Sequence, residues 1–391
     1  MKKILITICL LSPISLLLCM ETAHPLDELI CTTNLDPYAK YPTLIKKNPD
    51  PVVNTVDAYT RFMETNRQNK TTSLSGQDRD FKQQYVERLE QLIAWQEDPL
   101  FDTKILIDFD KTRDYLLTEE GFEEVKFETD DGVILGGLLK ERKNARFNVV
   151  VANGFMPGKK EGMATLYKLF PDFCNLLLFD ARGHGNSDGH LWRNILWKRI
   201  HGLNEYRDIW AAIRLMNTRF STIQSNILYG TCEGAFHSAN AVLEAKKQDT
   251  LAELKIKALF FDSGWDKFVE AGYSVARQKL TGIVGGPAYY AASALYQLWL
   301  KGAYRPIENE RNLPHRINNL PESVRTVFIH GIEDKDVPIQ GVRALYAKCP
   351  NSVMYESNVT RPHALMQVKD KFRYALWLRQ ELEKLEKSKI E

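Results

Sequence analysis

The 391 residues include only six cysteines, too dilute for a disulfide-held scaffold, and no two of them form the C-x-x-C pair of a zinc ribbon or a redox site. The sequence therefore carries no recognisable metal ligand set, and none is expected. It also has no excess of charge of either sign: 52 Lys and Arg against 50 Asp and Glu leave +2, so bulk electrostatics give no reason to expect a nucleic-acid partner. There is no G-x-G-x-x-G and no Walker loop after Ala152, so no nucleotide cofactor is expected, and no internal repeat is visible. Hydrophobic residues make up 44%, charged residues 26% and aromatics 10%, which excludes a disordered, collagen-like or multi-span membrane chain. What remains is a soluble chain long enough for one large domain with an extension.

The one apolar stretch of note is at the start. Lys2 and Lys3 precede residues 4–20, interrupted by Thr7, Ser12, Pro13 and Ser15, the charged and then apolar pattern of a cleavable export signal over 1–23. The stretch is shorter than a spanning helix needs and Pro13 breaks it. Membrane association would follow only if this N-terminus were left uncleaved or lipidated at Cys19. The expected location is periplasmic or secreted.

Residues 24–119 read as a helical extension: 81–95 space Tyr85, Leu89, Leu92 and Ile93 as on one helix face, whereas 25–50 are irregular, with Pro37, Pro42 and Pro49. Near Gly121 the pattern changes. Residues 124–129 and 133–139 alternate around Asp131-Gly132, predicting a hairpin. Short apolar runs follow at 148–152, 175–179, 226–230, 256–261, 324–329 and 352–356. Helical patterns are expected at 162–170, 205–220, 233–247, 339–348 and 364–384. Continuous apolar strands alternating with helices predict an α/β fold, a mostly parallel doubly wound sheet covered on both faces, over 120–391. Residues 262–323 are too long for a single crossover and mix Tyr289, Tyr290, Tyr296, Trp299 and Leu300 with Gly and Pro, so a helical lid is expected at about 264–321.

The most informative string is Ile227-Leu228-Tyr229-Gly230-Thr231-Cys232-Glu233-Gly234-Ala235, a strand entering Gly-x-Cys-x-Gly and then a helix. Small flanking residues permit a sharp strand-to-helix turn that projects a nucleophile, and a thiol at a helix N-terminus feels the positive end of the dipole. Asp334 stands just beyond a predicted strand and His363 just beyond the next, in the chain order nucleophile, acid, histidine. In these roles His363 would handle the Cys232 proton and Asp334 would orient the imidazole. Asp336 is the main rival for the acid and Asp262 a weaker one, while His330 belongs to a strand end.

With these residues the sequence resembles the α/β-hydrolase superfamily, in the branch of serine aminopeptidase-like and monoglyceride-lipase-like hydrolases. The resemblance covers about residues 121–387. It rests on the elbow, on Asn153-Gly154-Phe155 where the family usually has His-Gly-x, on Phe179-Asp180-Ala181-Arg182-Gly183-His184-Gly185-Asn186-Ser187, and on His330-Gly331-x-x-Asp334-x-x-Val337-Pro338. It implies an oxyanion hole from the backbone N–H groups of Phe155 and Glu233, with His184 and Ser187 as turn-forming residues. Cysteine at the elbow departs from the family's usual serine. It also resembles dienelactone hydrolase, a compact family that lacks the lid and the extension. Asn153 is the second departure. In an oxidising compartment the thiol would be exposed to pairing with Cys31, Cys174 or Cys349.

The expected activity is hydrolysis of an ester or thioester, or an amide, of a small or lipid-like acyl substrate through an acyl-cysteine. The alternatives are an inactive hydrolase-fold binding protein and an acyltransferase using the same three residues. The sequence gives no oligomeric state.

Overall fold

The structure, a computed structural model, describes residues 108–387 apart from 156–157, 192–193, 196–200, 272, 274–286, 358–362, 365–366 and 368–370. The export signal and residues 24–107 of the extension lie outside the described residues.

Eight strands form one sheet: β1 Glu123–Glu128, β2 Ile134–Lys140, β3 Phe147–Ala152, β4 Cys174–Phe179, β5 Asn226–Thr231, β6 Ile256–Asp262, β7 Arg325–Gly331 and β8 Ser352–Ser357. The helices that cover it are α1 Phe109–Thr118, α2 Leu166–Leu169, α3 Glu205–Arg219, α4 Glu233–Lys247, α5 Leu251–Leu254, α6 Pro287–Ala303, α7 Arg305–Glu310, α8 Ile339–Tyr346 and α9 Lys371–Lys387. The strand order is β1-β2-β4-β3-β5-β6-β7-β8. β2 is antiparallel to both its neighbours, β1 and β4, and every other pair is parallel.

The hairpin arises as its sequence requires. Gly132 takes φ +81°, a conformation that strains other residues, and its N–H donates to the Thr129 carbonyl at 3.0 Å. The central strands are buried along their whole length because helices pack on both faces. In β5, Leu228 points into a core with α3 and α4, through Ile213, Met216, Phe236 and Val242. Its neighbours Ile227 and Tyr229 point into the other core, with Leu116 of α1 and Tyr374 and Leu378 of α9. Helix α1 thus packs with the sheet. Fully buried side chains such as Phe236, Phe260 and Leu116 each contribute about 1.5–3 kcal/mol.

One expected helix differs. The segment 162–170 divides into a 3-10 turn at Lys160–Met163 and the short α2, because Lys160 is drawn inward to Asp180 and no longer continues a helical face. The last expected helix is described over Lys371–Lys387, and the rest of its expected start lies largely outside the described residues. Helices α6 and α7 occupy the long connection between β6 and β7. α6 keeps Leu295 and Leu298 exposed while Leu300 is buried. Among the described residues no helix is long and apolar enough to cross a membrane.

The chain winds from β3 to β4 in one direction and resumes with β5 on the other side of β3. Such a reversal opens a crevice at the carboxyl ends of the strands, where loops diverge and a ligand can enter.

Candidate active site

Cys232 follows β5 and is the N-cap of α4, with φ 54° and ψ −122°. This geometry is costly for a residue with a Cβ, about 1–3 kcal/mol, and persists only where its surroundings impose it. The imposing contacts are visible. The Cys232 N–H donates to the Asp262 carbonyl at 2.8 Å, and a Cβ on Gly234 would stand 2.2 Å from the Ala152 carbonyl oxygen, so only glycine lets α4 start this close to β3. Among the described residues, Ser263, directly after the neighbouring β6, also takes a positive φ of 50°.

The segment after β3 lies beside it. Ala152 pairs with Gly230, and a Cβ on Gly154 would come within 2.9 Å of the Cys232 Cβ. Asn153 has a clear local role: its Oδ1 accepts from the Gly154 N–H at 2.7 Å and its amide donates to the Lys159 carbonyl, closing the loop that carries Phe155. The Phe155 carbonyl accepts from His184 Nε2 at 3.2 Å. Burial pushes the His184 pKa down, which keeps the ring neutral with its proton free for that bond. Asp180 fastens the same loop from below, accepting from Lys160 Nζ at 2.9 Å and the Lys160 N–H at 2.7 Å.

On the other side, Asp334 follows β7. Its Oδ1 accepts from the backbone of Asp336 at 2.9 Å and of Val337 at 3.0 Å, leaving Oδ2 for His363 Nδ1 at 2.6 Å. Burial would raise the Asp334 pKa, but the hydrogen bond and charge of His363 hold it below the ordinary value. Cys232 lies close enough to His363 to act on its charge, and Asp334 is hydrogen-bonded to it. Burial opposes its charge, yet the negative charge available on Cys232 and the Asp334 carboxylate outweigh this and hold the imidazole well above its usual pKa. The structure thus brings Cys232, His363 and Asp334 together. Asp336 meets Asp334 through its backbone, and Asp262 turns away to Tyr229 and Tyr374.

Phe155 and Glu233 flank Cys232. The Glu233 N–H belongs to the first turn of α4, where backbone donors have no partner within the helix. Cys174, Cys232 and Cys349 are free thiols. Burial pushes Cys174 up to about 12 and raises Cys349 too, which leaves both poorly nucleophilic, whereas Cys232 is only half-buried.

Motif reading missed a second cluster directly behind the elbow. The Glu233 side chain runs inward, with Oε1 2.7 Å from His201 Nε2 and 3.3 Å from His237 Nε2, while His201 Nδ1 lies 3.1 Å from Glu205 Oε1. Burial opposes a charge on His201, but the carboxylates of Glu233 and Glu205 raise it to about 10. Glu233 and His237, one helical turn apart, are the only signal sequence offered. Elsewhere, a cavity of about 520 Å³ between Leu243, Lys247, Arg311 and Arg316 touches none of these groups.

The sequence matches no family model and no curated protein. Its structure is similar to an esterase of Pyrococcus furiosus, with a TM-score of 0.50 and 18% identity over 67% of this chain and 92% of that one. It is also similar to an esterase of Exiguobacterium antarcticum (TM-score 0.48, 13% identity, 67% of this chain and all of that one). A third is a proline iminopeptidase of Mycobacterium smegmatis (TM-score 0.48, 11% identity, 68% and 99%). At such identities the likeness speaks to the fold, which is the α/β-hydrolase fold.

Proposed function

We propose that this chain is a hydrolase of ester or thioester bonds that works through an acyl-Cys232 intermediate. The observation that carries the reading is the strained Cys232 at the elbow with His363, hydrogen-bonded to Asp334, beside it. In this scheme the thiolate attacks the acyl carbonyl, and the carbonyl π electrons move onto oxygen. The N–H groups of Phe155 and Glu233 receive that oxyanion, two fixed donors worth far more in a dry site than in water. The tetrahedral intermediate collapses, the bond to the leaving group breaks, and His363 gives that group its proton. His363 then takes a proton from water, the hydroxide attacks the thioester, and the acid departs as the thiolate and imidazolium reform. Asp334 keeps the same imidazole nitrogen directed at Cys232 throughout.

The leader pattern at Lys2, Lys3 and 4–20 supports export, and the α6 and α7 insertion supports a lid that selects the acyl group. The exposed Leu295 and Leu298 on α6 favour an apolar chain there. The test is steady-state and burst kinetics on p-nitrophenyl esters and acyl thioesters of graded length. A burst of one equivalent that vanishes in Cys232→Ala is expected. A folded wild-type chain with a free Cys232 thiol and no turnover would favour a binding protein instead.

A further inference from the structure

The cluster behind the elbow has more converging donors than hydrogen bonds can explain. His201, Glu233 and His237 have side chains 3%, 3% and 7% exposed, and their atoms Nε2, Oε1 and Nε2 lie within 4.8 Å of one another. These three atoms, although in ion-pair range, are without a hydrogen-bond partner in acceptable geometry. Among the described residues no lysine or arginine forms an ion pair with Glu233 or Glu205, and Arg182 acts on Glu205 only at longer range, so the two buried carboxylates are met at close range by imidazoles alone. Isolated buried charge is costly and is ordinarily resolved by protons or by a metal ion.

We propose that His201, Glu233 and His237 bind a divalent transition-metal ion of the Zn²⁺ type. Two imidazole nitrogens and one carboxylate oxygen are a borderline donor set that suits Zn²⁺ and not Ca²⁺ or Mg²⁺. An ion about 2.1 Å from each atom would subtend about 80° across the 2.7 Å pair and about 105° across the 3.3 Å pair, and it needs the two imidazole nitrogens, which lie within 4.8 Å of each other, to stand no more than about 4.2 Å apart. The surroundings match what such a site needs. Glu205 stands on the far nitrogen of His201, and its Oε2 accepts from the N–H groups of Gly202 at 2.8 Å and Asn204 at 3.1 Å. His201 Nδ1 makes no well-aligned hydrogen bond to this carboxylate here, but a small rotation of the ring would let Glu205 accept from Nδ1–H and leave Nε2 free for the ion. The rings of Phe155 and Phe268 shield the cluster, both with centroids 5.7 Å from that of His201. The ion would lock the side chain whose own backbone N–H adjoins Cys232 and would tie the His201 loop to α4. Metal binding stands independently of the proposed acyl chemistry.

The test uses the full chain without a polyhistidine tag and with Cys232→Ala, so that the elbow thiol cannot bind the ion. It is produced with Zn²⁺ in the medium, gel-filtered and subjected to elemental analysis. About one Zn²⁺ per chain is expected, falling below about a tenth in His237→Asn and His201→Asn. Glu205→Gln should weaken binding about 10–100-fold. Zinc-edge X-ray absorption keeps the idea testable if a variant fails to fold: two imidazoles and only N/O donors at about 2.0–2.2 Å are expected. A folded chain free of Zn²⁺ would overturn the proposal and make the cluster a proton-bridged pair. Full retention of Zn²⁺ in folded His237→Asn, or sulfur in the first shell, would also overturn it.

Discussion

Asp262 and Asp334 end neighbouring strands of one sheet, yet their surroundings assign them opposite behaviour. Asp262 turns under the sheet, where Oδ2 accepts from the hydroxyls of Tyr229 and Tyr374 at 2.5 Å each and Oδ1 from Ser263 Oγ at 2.8 Å. Burial dominates and raises its pKa despite these donors. Asp334, three residues past β7 and fixed by two backbone N–H groups, reaches over the rim to a basic partner, and its pKa falls. A carboxylate at a strand end is thus made structural or reactive by the face to which it turns and by whether a base or a hydroxyl meets it. Both groups are nearly inaccessible, so exposure does not separate them.

Substitution should separate the pair most sharply in turnover. Asp334→Asn should lower kcat/KM by about 10²–10⁴-fold, since the imidazole loses its orienting charge. Asp262→Asn should leave it within about threefold while costing about 1–3 kcal/mol in urea unfolding, the range for disturbing a buried hydrogen-bonded group. Equal losses of kcat/KM would break the comparison.

Stability against pH gives the next largest contrast. Asp334 has a folded pKa below its unfolded value of about 3.9, so its contribution is present above that pH and is lost as pH falls through the folded value. Asp262 has the opposite sign: its folded pKa is raised, so its contribution is greatest below about 3.9 and declines as pH rises towards the folded value. Urea melts from about pH 3 to 6 should therefore show the wild-type advantage over Asp334→Asn growing and that over Asp262→Asn shrinking. His363 adds an alkaline counterpart. With its folded pKa raised, its contribution is complete below about 6.5 and is lost as pH rises through the folded value, and Asp334→Asn should bring that loss to lower pH.

Backbone strain gives a smaller effect. Cys232→Gly should be about 1 kcal/mol more stable than Cys232→Ala by thermal unfolding, because glycine accepts φ 54° without cost. Smallest of all, Asp336→Asn should change turnover by less than about threefold, since Asp336 reaches Asp334 through its backbone N–H, which the substitution keeps.

Much of this was legible in sequence, for identifiable reasons. Each strand lies within two residues of its apolar run, because central strands buried on both faces cannot tolerate polar interruption. Gly230 and Gly234 marked the elbow since backbone packs against both positions. Asp334 and His363 followed from chain order. The function of Asn153 was not legible, because a side chain capping its own loop leaves no pattern at a distance. Nor was the joining of His201 and Glu205 to Glu233 and His237, residues from a loop and two helices that only the packing of α3 against α4 brings together. The break between Lys160–Met163 and α2 depended on the pull of Asp180 on Lys160, another contact invisible to periodicity.

The central claim is that Cys232 carries the acyl group, and peptide mass spectrometry of chain quenched in acid during turnover tests it most directly. The account predicts one acyl adduct, on the peptide containing Cys232, that accumulates further in Asp334→Asn if deacylation is slowed more than acylation and is absent in Cys232→Ala. Undiminished turnover in Cys232→Ala, or an adduct on another residue alone, would contradict it.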